Sequence, residues 1–166
     1  MKHIPFSQTA CTENGICIKG AEFMFGIIVG THGRFSEELV KTCEMICGPQ
    51  QNVRAVTLVP GEGLEDVMKK YEAAIAALDT ADGVLFLNDL FGGSPYNAAC
   101  RMIVEHADYG IVAGVNLPMM IEMVSVQMAD AHEDIKEVMD KAATAGKMGL
   151  QTFHASQLQN DEEDDF

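Results

Sequence analysis

Phe25-Gly26-Ile27-Ile28-Val29 runs straight into Gly30-Thr31-His32-Gly33-Arg34, and this stretch decides the fold. An unbroken apolar run fits a strand buried on both faces, the habit of strands in parallel sheets. The residues after it change period. Phe35, Leu39, Val40, Cys43, Ile46 and Cys47 recur at helical spacing. Glu37 and Glu38 stand in the first turn, where the helix dipole favours acids. Gly48-Pro49 stops the helix. A strand, a short loop bearing a histidine between two glycines, and a helix follow one another without a gap.

The same alternation continues outward. Val53 to Val59 reads as a second strand. Leu64, Val67, Met68, Tyr71, Ile75 and Leu78 form the stripe of a second helix. Gly83 to Leu87 is a third strand, and Ser94-Pro95 opens a third helix, with serine as the cap and proline at the first helical position. Gly110 to Val115 is a fourth strand, followed by helices near 118–128 and 133–145. Met148 to Phe153 suits a last, short strand. This order predicts an α/β fold: three layers, α/β/α, around a mainly parallel sheet. Right-handed crossovers put the carboxyl ends of the parallel strands on one edge, where chemistry gathers in open α/β sheets.

The chain has 166 residues, enough for one domain with a real core. Residues 1–23 have no clear period and carry Pro5, Gly15 and Gly20. Met24 stands directly before the first strand, so 1–23 is expected to be a disordered leader or an artificial extension ahead of the natural start. Residues 24–156 are expected to form the domain, and 157–166 a disordered acidic tail. Asp161 to Asp165 supply five of the 25 acids, and the net charge is -14. Nucleic acid is not expected as a partner, because phosphate backbones need clustered Lys and Arg. A basic protein surface is compatible. No apolar run reaches the roughly 18 residues that span a bilayer, and no signal peptide is visible. A cytoplasmic protein with reduced thiols is therefore expected. Cys43 and Cys47, one turn apart on an apolar helix face, read as small core residues rather than metal ligands.

The candidate chemistry sits in two loops at the carboxyl edge. Gly30-Thr31-His32-Gly33-Arg34 follows strand one, and Asn88-Asp89-Leu90-Phe91-Gly92-Gly93-Ser94-Pro95 follows strand three. An ordinary imidazole keeps a lone pair for attack, provided its other nitrogen is held as a donor. Asp89 can accept that N–H from His32 and stabilise the positive ring that forms as a phosphoryl group arrives. Gly92, Gly93 and Ser94 lead into a helix start, whose free N–H groups and hydroxyl make an anion site. Thr31 offers a second hydroxyl, Gly33 a close backbone approach, and Arg34 a charge without an assigned role. Phosphoryl transfer needs mainly positioning and charge stabilisation, which this set provides. Each residue alone reads as ordinary structure: a solvated loop histidine, a turn aspartate, a normal helix start. Their joint placement points to function. His3, His106, His132 and His154 lack such a setting, and Gly146-Lys147-Met148 lacks the hydroxyl of a P-loop.

Five segments carry a resemblance. Gly26 to Gly33, Val59 to Glu62, Gly83 to Leu87, Asp89 to Pro95 and Ala113 to Pro118 together resemble the mannose-family enzyme IIA of the bacterial phosphoenolpyruvate:sugar phosphotransferase system. They are spread in order over about residues 24–153. The histidine motif alone is weak, but the Asp-x-x-Gly-Gly-Ser-Pro loop at the right distance makes the match specific.

The resemblance implies that His32 is phosphorylated on Nε2, that Asp89 bonds its Nδ1, and that Thr31 and Ser94 lie beside the phosphate. It implies phospho-HPr as donor and a histidine of a IIB component as acceptor, with membrane IIC and IID components involved only indirectly. It further implies a homodimer in which a C-terminal strand, here Met148 to Phe153, is exchanged. No metal or organic cofactor is expected. A IIB component on a separate chain is expected, since no IIB-like domain follows. Two rivals share the same histidine: an IIA-like carrier of a dihydroxyacetone kinase, and a regulatory binding module controlled by phosphorylation. A hydrolase on the same sheet edge lacks a second nucleophile, a metal cluster or a nucleotide fingerprint.

Overall fold

A computed structural model describes residues 9–11, 17–19, 24–129 and 133–155. Its centre is a four-stranded, all-parallel sheet built from β3 (Gly26–His32), β4 (Val53–Leu58), β5 (Val84–Asn88) and β6 (Tyr109–Ala113). The strand order is β4-β3-β5-β6. Five helices connect and cover it: α1 (Phe35–Cys47), α2 (Leu64–Ala76), α3 (Ser94–Met102), α4 (Leu117–Met128) and α5 (Ile135–Met148). The three-layer α/β/α arrangement expected from the alternation is present.

Side-chain alternation along the strands feeds two cores, one on each face. Ile27, Val29, Leu85 and Leu87 point to the face covered by α1, α4 and α5, where Leu39, Cys43, Met120, Met123 and Val138 pack on them. Ile28, Val84 and Phe86 point the other way, onto Val67, Tyr71, Ala98 and Ala99 of α2 and α3. Burial on both faces is why these strands read as continuous apolar runs. Each fully buried Ile, Leu or Phe contributes about 1.5–3 kcal/mol in area terms. The described fold is tied down at its start, where the Met24 N–H donates to Asp82 Oδ2 at 2.7 Å and the Asp82 N–H returns a bond to Met24 O at 3.0 Å.

Three local expectations are corrected. First, β3 does not stop before the histidine: Thr31 and His32 still pair with Thr57 and Leu58 of β4, so His32 is a strand residue and not a loop residue. Second, Ser94 is the first residue of α3, and Gly93 occupies the cap position without a side-chain bond. Third, α5 runs on to Met148, and residues 149–154 form no strand within one chain. The helix carries on through Met148, and Met148, Leu150 and Phe153 keep no strict two-residue alternation. Ahead of the sheet, β1 (Thr9–Cys11) and β2 (Cys17–Lys19) pair antiparallel, with Thr9 opposite Lys19. Strands of three residues are too short to leave a period in the sequence. The acidic tail lies outside the described residues.

Candidate active site

The carboxyl ends of β3 and β5 lie side by side in the middle of the sheet. The chain leaves β3 toward β4 on one side and leaves β5 toward β6 on the other. The connecting loops therefore part between these two strands and open a crevice, the usual place for chemistry in such sheets. His32 ends β3, and Asp89 follows the last residue of β5.

The two side chains meet there. The Asp89 carboxylate accepts the His32 backbone N–H at 2.9 Å through Oδ2. It also lies 3.0 and 3.1 Å from Nδ1 through its two oxygens. An ionised carboxylate only accepts, so Nδ1 carries the proton and Nε2 keeps the lone pair. One carboxylate thus holds both the backbone and the ring of the same histidine. The His32 side chain is 43% exposed and Asp89 19%, so the ring is reachable while its partner is mostly screened from water.

Gly93 packs against the ring. A β-carbon at this position would stand 2.6 Å from Cε1 and 3.3 Å from Nε2 of His32, and 3.2 Å from the Leu90 carbonyl. Only glycine lets the start of α3 come this close. The Gly93 N–H is itself used, bonding Leu90 O at 3.1 Å. The donors that face outward belong to the first turn of α3, whose N–H groups have no helical acceptor. Gly92 turns the loop at φ +75° beside open space, and the half-buried Ser94 hydroxyl makes no hydrogen bond among the described residues. Gly93 thus lies against the Cε1–Nε2 edge of His32, with Gly92 and Ser94 beside it in the chain.

Thr31 and Gly33 are placed differently from expectation. Thr31 is fully buried, and its Oγ1 accepts the Ser36 N–H at 2.7 Å, tying β3 to the start of α1. Strand alternation puts its side chain on the opposite face of β3 from that of His32. The Gly33 N–H is spent on Leu58 O at 2.8 Å. Arg34 is exposed at the start of α1 and has no capping bond. On the neighbouring loop, Glu62 accepts the Val59 N–H at 3.0 Å and meets Lys70 Nζ at 2.6 Å. The Lys70 ammonium holds the Glu62 carboxyl below its ordinary value. That pair closes the Pro60-Gly61 turn and leaves Lys70 engaged.

Two residues beneath the site were not singled out from the sequence. Asn88 is fully buried and donates through Nδ2 to Gly30 O at 2.8 Å and to the Tyr71 oxygen at 2.9 Å. Tyr71, also fully buried, donates to Pro95 O at 3.1 Å. A buried acceptor is left over: Asn88 Oδ1 has no partner, at a cost of about 1–3 kcal/mol. The available signal was a polar residue closing the apolar run Val84 to Leu87.

This geometry meets an independent observation. The family model described as the PTS system fructose IIA component matches residues 26–143, which holds β3 through most of α5. The chain belongs to this IIA family. It is 43% identical over 133 residues to the PTS system mannose-specific EIIAB component of Escherichia coli (strain K12), covering 80% of this chain and 41% of that protein. The chain thus spans about two fifths of that relative's length. It is 34% identical over 128 residues to the PTS system fructose-specific EIIA component of Bacillus subtilis (strain 168), covering 77% and 86%. Among solved structures, phosphotransferase system component EIIA from Streptococcus agalactiae superposes with a TM-score of 0.70 at 28% identity, covering 78% of this chain and 98% of that one. The mannose/sorbose-specific IIA subunit from Enterococcus faecalis matches with a TM-score of 0.70 at 26% identity, covering 80% and 96%. In this chain the His32–Asp89 pair stands at the central crevice of that fold. Among the described residues, no helix of this family member is long and apolar enough to cross a membrane.

Proposed function

We propose that this IIA chain is a phosphoryl carrier of a sugar phosphotransferase system. It takes phosphate from phospho-HPr on Nε2 of His32 and passes it to a histidine of a IIB component. The observation that carries this reading is the double hold of Asp89 on His32. With Nδ1–H donating to the carboxylate, the Nε2 lone pair attacks phosphorus as the N–P bond to the donor histidine breaks. The donor leaves as a neutral imidazole, and the proton stays on Nδ1. The ring of His32 becomes positive, and the Asp89 carboxylate offsets that charge. First-turn N–H groups of α3, with Ser94, supply donors for the phosphoryl oxygens. Transfer onward to IIB reverses the same step.

The carrier works in the cytoplasm, where free thiols such as Cys43, Cys47 and Cys100 are the rule. It acts as a homodimer whose contact involves the C-terminal segment. Met148, Leu150 and Phe153 are 70%, 78% and 71% exposed. Met148 also lines a groove of about 680 Å³ between α4 and α5, with Pro118, Ile121, Thr144 and Ala145. Sedimentation of wild type and of Phe153→Asp tests this part: a monomeric wild type removes it.

The deciding experiment mixes the purified chain with phosphoenolpyruvate, enzyme I and HPr, then maps acid-labile phosphate by mass spectrometry. Label on His32 that needs HPr and discharges to a IIB protein is the expected result. His32→Ala should fold normally and take no label. A folded wild type that stays unlabelled beside active controls refutes the carrier reading.

A further inference from the structure

We infer that Tyr71 and Asn88 are positioning residues that hold the first turn of α3 against His32, and so set the rate of phosphoryl transfer without touching the phosphate. The inference deepens the carrier reading and rests on it. Three segments build the site: the end of β3, the end of β5 and the start of α3. The buried chain of hydrogen bonds joins all three. Asn88 Nδ2 donates to Gly30 O, two residues before His32, and Asn88 itself precedes Asp89. Its second N–H reaches Tyr71 Oη, and the phenol donates its own O–H to Pro95 O in the first turn of α3. The Asn88 carbonyl also accepts from Gly114 and Val115 at 2.8 and 3.0 Å, which anchors the end of β6 to the same residue.

Two further observations mark this chain of bonds as something other than filler. A β-carbon on Gly30 would stand 1.8 Å from Tyr71 Oη, so β3 carries a glycine where the phenol must pass. The Asn88 amide oxygen is buried without a partner, so an apolar residue of similar shape would fill the position with no orphaned acceptor. Stability alone does not account for an asparagine there; a donor bridging two segments does. Burial pushes the Tyr71 phenol well above its ordinary value, so it stays a proton donor to Pro95 O at working pH.

The consequence is geometric. Gly93 sits 2.6 Å, by its missing β-carbon, from the reacting ring, so a small outward drift of α3 changes the distance between its donors and a group on Nε2. Transfer is sensitive to displacements of about 1 Å. Tyr71→Phe cuts the tie to Pro95 and keeps the ring packed on Phe86, its edge-on neighbour at 5.0 Å. Asn88→Leu removes both donors and the orphaned acceptor together.

The test measures single-turnover phosphorylation of the full chain by phospho-HPr, alongside thermal unfolding. Val67→Ala, buried on the same helix one turn earlier, serves as a control for destabilisation alone. Tyr71→Phe should lower the maximal transfer rate about tenfold and leave half-saturation by phospho-HPr within about twofold. Asn88→Leu should slow transfer similarly while its Tm stays level or rises. Val67→Ala should lose Tm and keep its rate. If Asn88→Leu does not fold, the Tyr71→Phe and Val67→Ala pair decides. Wild-type rates in Tyr71→Phe, or rates that follow Tm across the variants, overturn the positioning role while the carrier reading stands. A wild type that takes no label overturns both.

Discussion

At the scale of single residues, the site depends on one carboxylate with two tasks. Asp89 fixes the main chain at His32 and the tautomer of its ring. Asp89→Asn keeps an acceptor but places an amide donor where Nδ1–H must also donate. The ring is then driven to the opposite tautomer, and the proton moves onto the attacking nitrogen. Transfer should slow by about 10²-fold or more, as loss of an orienting aspartate does in hydrolase triads, with binding of HPr little changed. Stopped-flow transfer and titration of HPr binding separate the two; an unchanged transfer rate would make Asp89 purely structural. Gly93 is the steric counterpart. Gly93→Ala puts a methyl group 2.6 Å from His32 Cε1 and 3.2 Å from a main-chain carbonyl that has little room to move. The ring must tilt, and transfer should fall about tenfold while circular dichroism stays as in wild type. A fully active Gly93→Ala would mean that α3 is looser than its packing implies.

At the scale of elements, the loops are held by side chains that reach from one helix to the next. Asn116 caps α4, accepting the Met119 N–H through Oδ1 at 3.0 Å, while its Nδ2 donates to Gly146 O near the end of α5. Asn116→Ala removes a cap and a cross-helix bond, and should cost about 1–2 kcal/mol in urea unfolding. A loss below a few tenths would show that water replaces both bonds. Elements of this size were legible in the sequence because each strand is buried on both faces and each helix has a clear stripe. The His32–Asp89 pairing was legible too, since both stand at the carboxyl ends of neighbouring parallel strands. The burial of Thr31 was not legible because the strand runs three residues past the point where its apolar run ends. Pairing with β4 carries it on, and a residue's face follows from where the strand stops. Tyr71 looked like one more member of an apolar stripe. Its hydroxyl finds Asn88 and Pro95 only through the tertiary fold, and no local pattern announces such a contact.

At the scale of the whole molecule, two buried acids set the alkaline limit. Cys43 is nearly inaccessible in the core, and burial, with Cys47 nearby, pushes its thiol from 9.0 up to about 12. Tyr71 is raised by burial as well. Between the unfolded and folded values the unfolded chain has released a proton that the folded chain still holds. Stability from Cys43 is therefore complete below about pH 9 and is lost as pH rises toward about 12. Thermal unfolding from pH 8 to 11 should show Tm falling above pH 9, less steeply in Cys43→Ala; equal slopes would assign the loss to other groups. The position of His32 has a different consequence. It is anchored by strand pairing on one side and Asp89 on the other, and shows the solvent a single open face. If the chain is the carrier proposed above, that face is one berth for two visitors. A donor and an acceptor that both need Nε2 can call only in turn, so each competes with the other, and an excess of discharged donor blocks the berth. Sugar flux through such a relay would then peak at an intermediate supply of donor and decline beyond it.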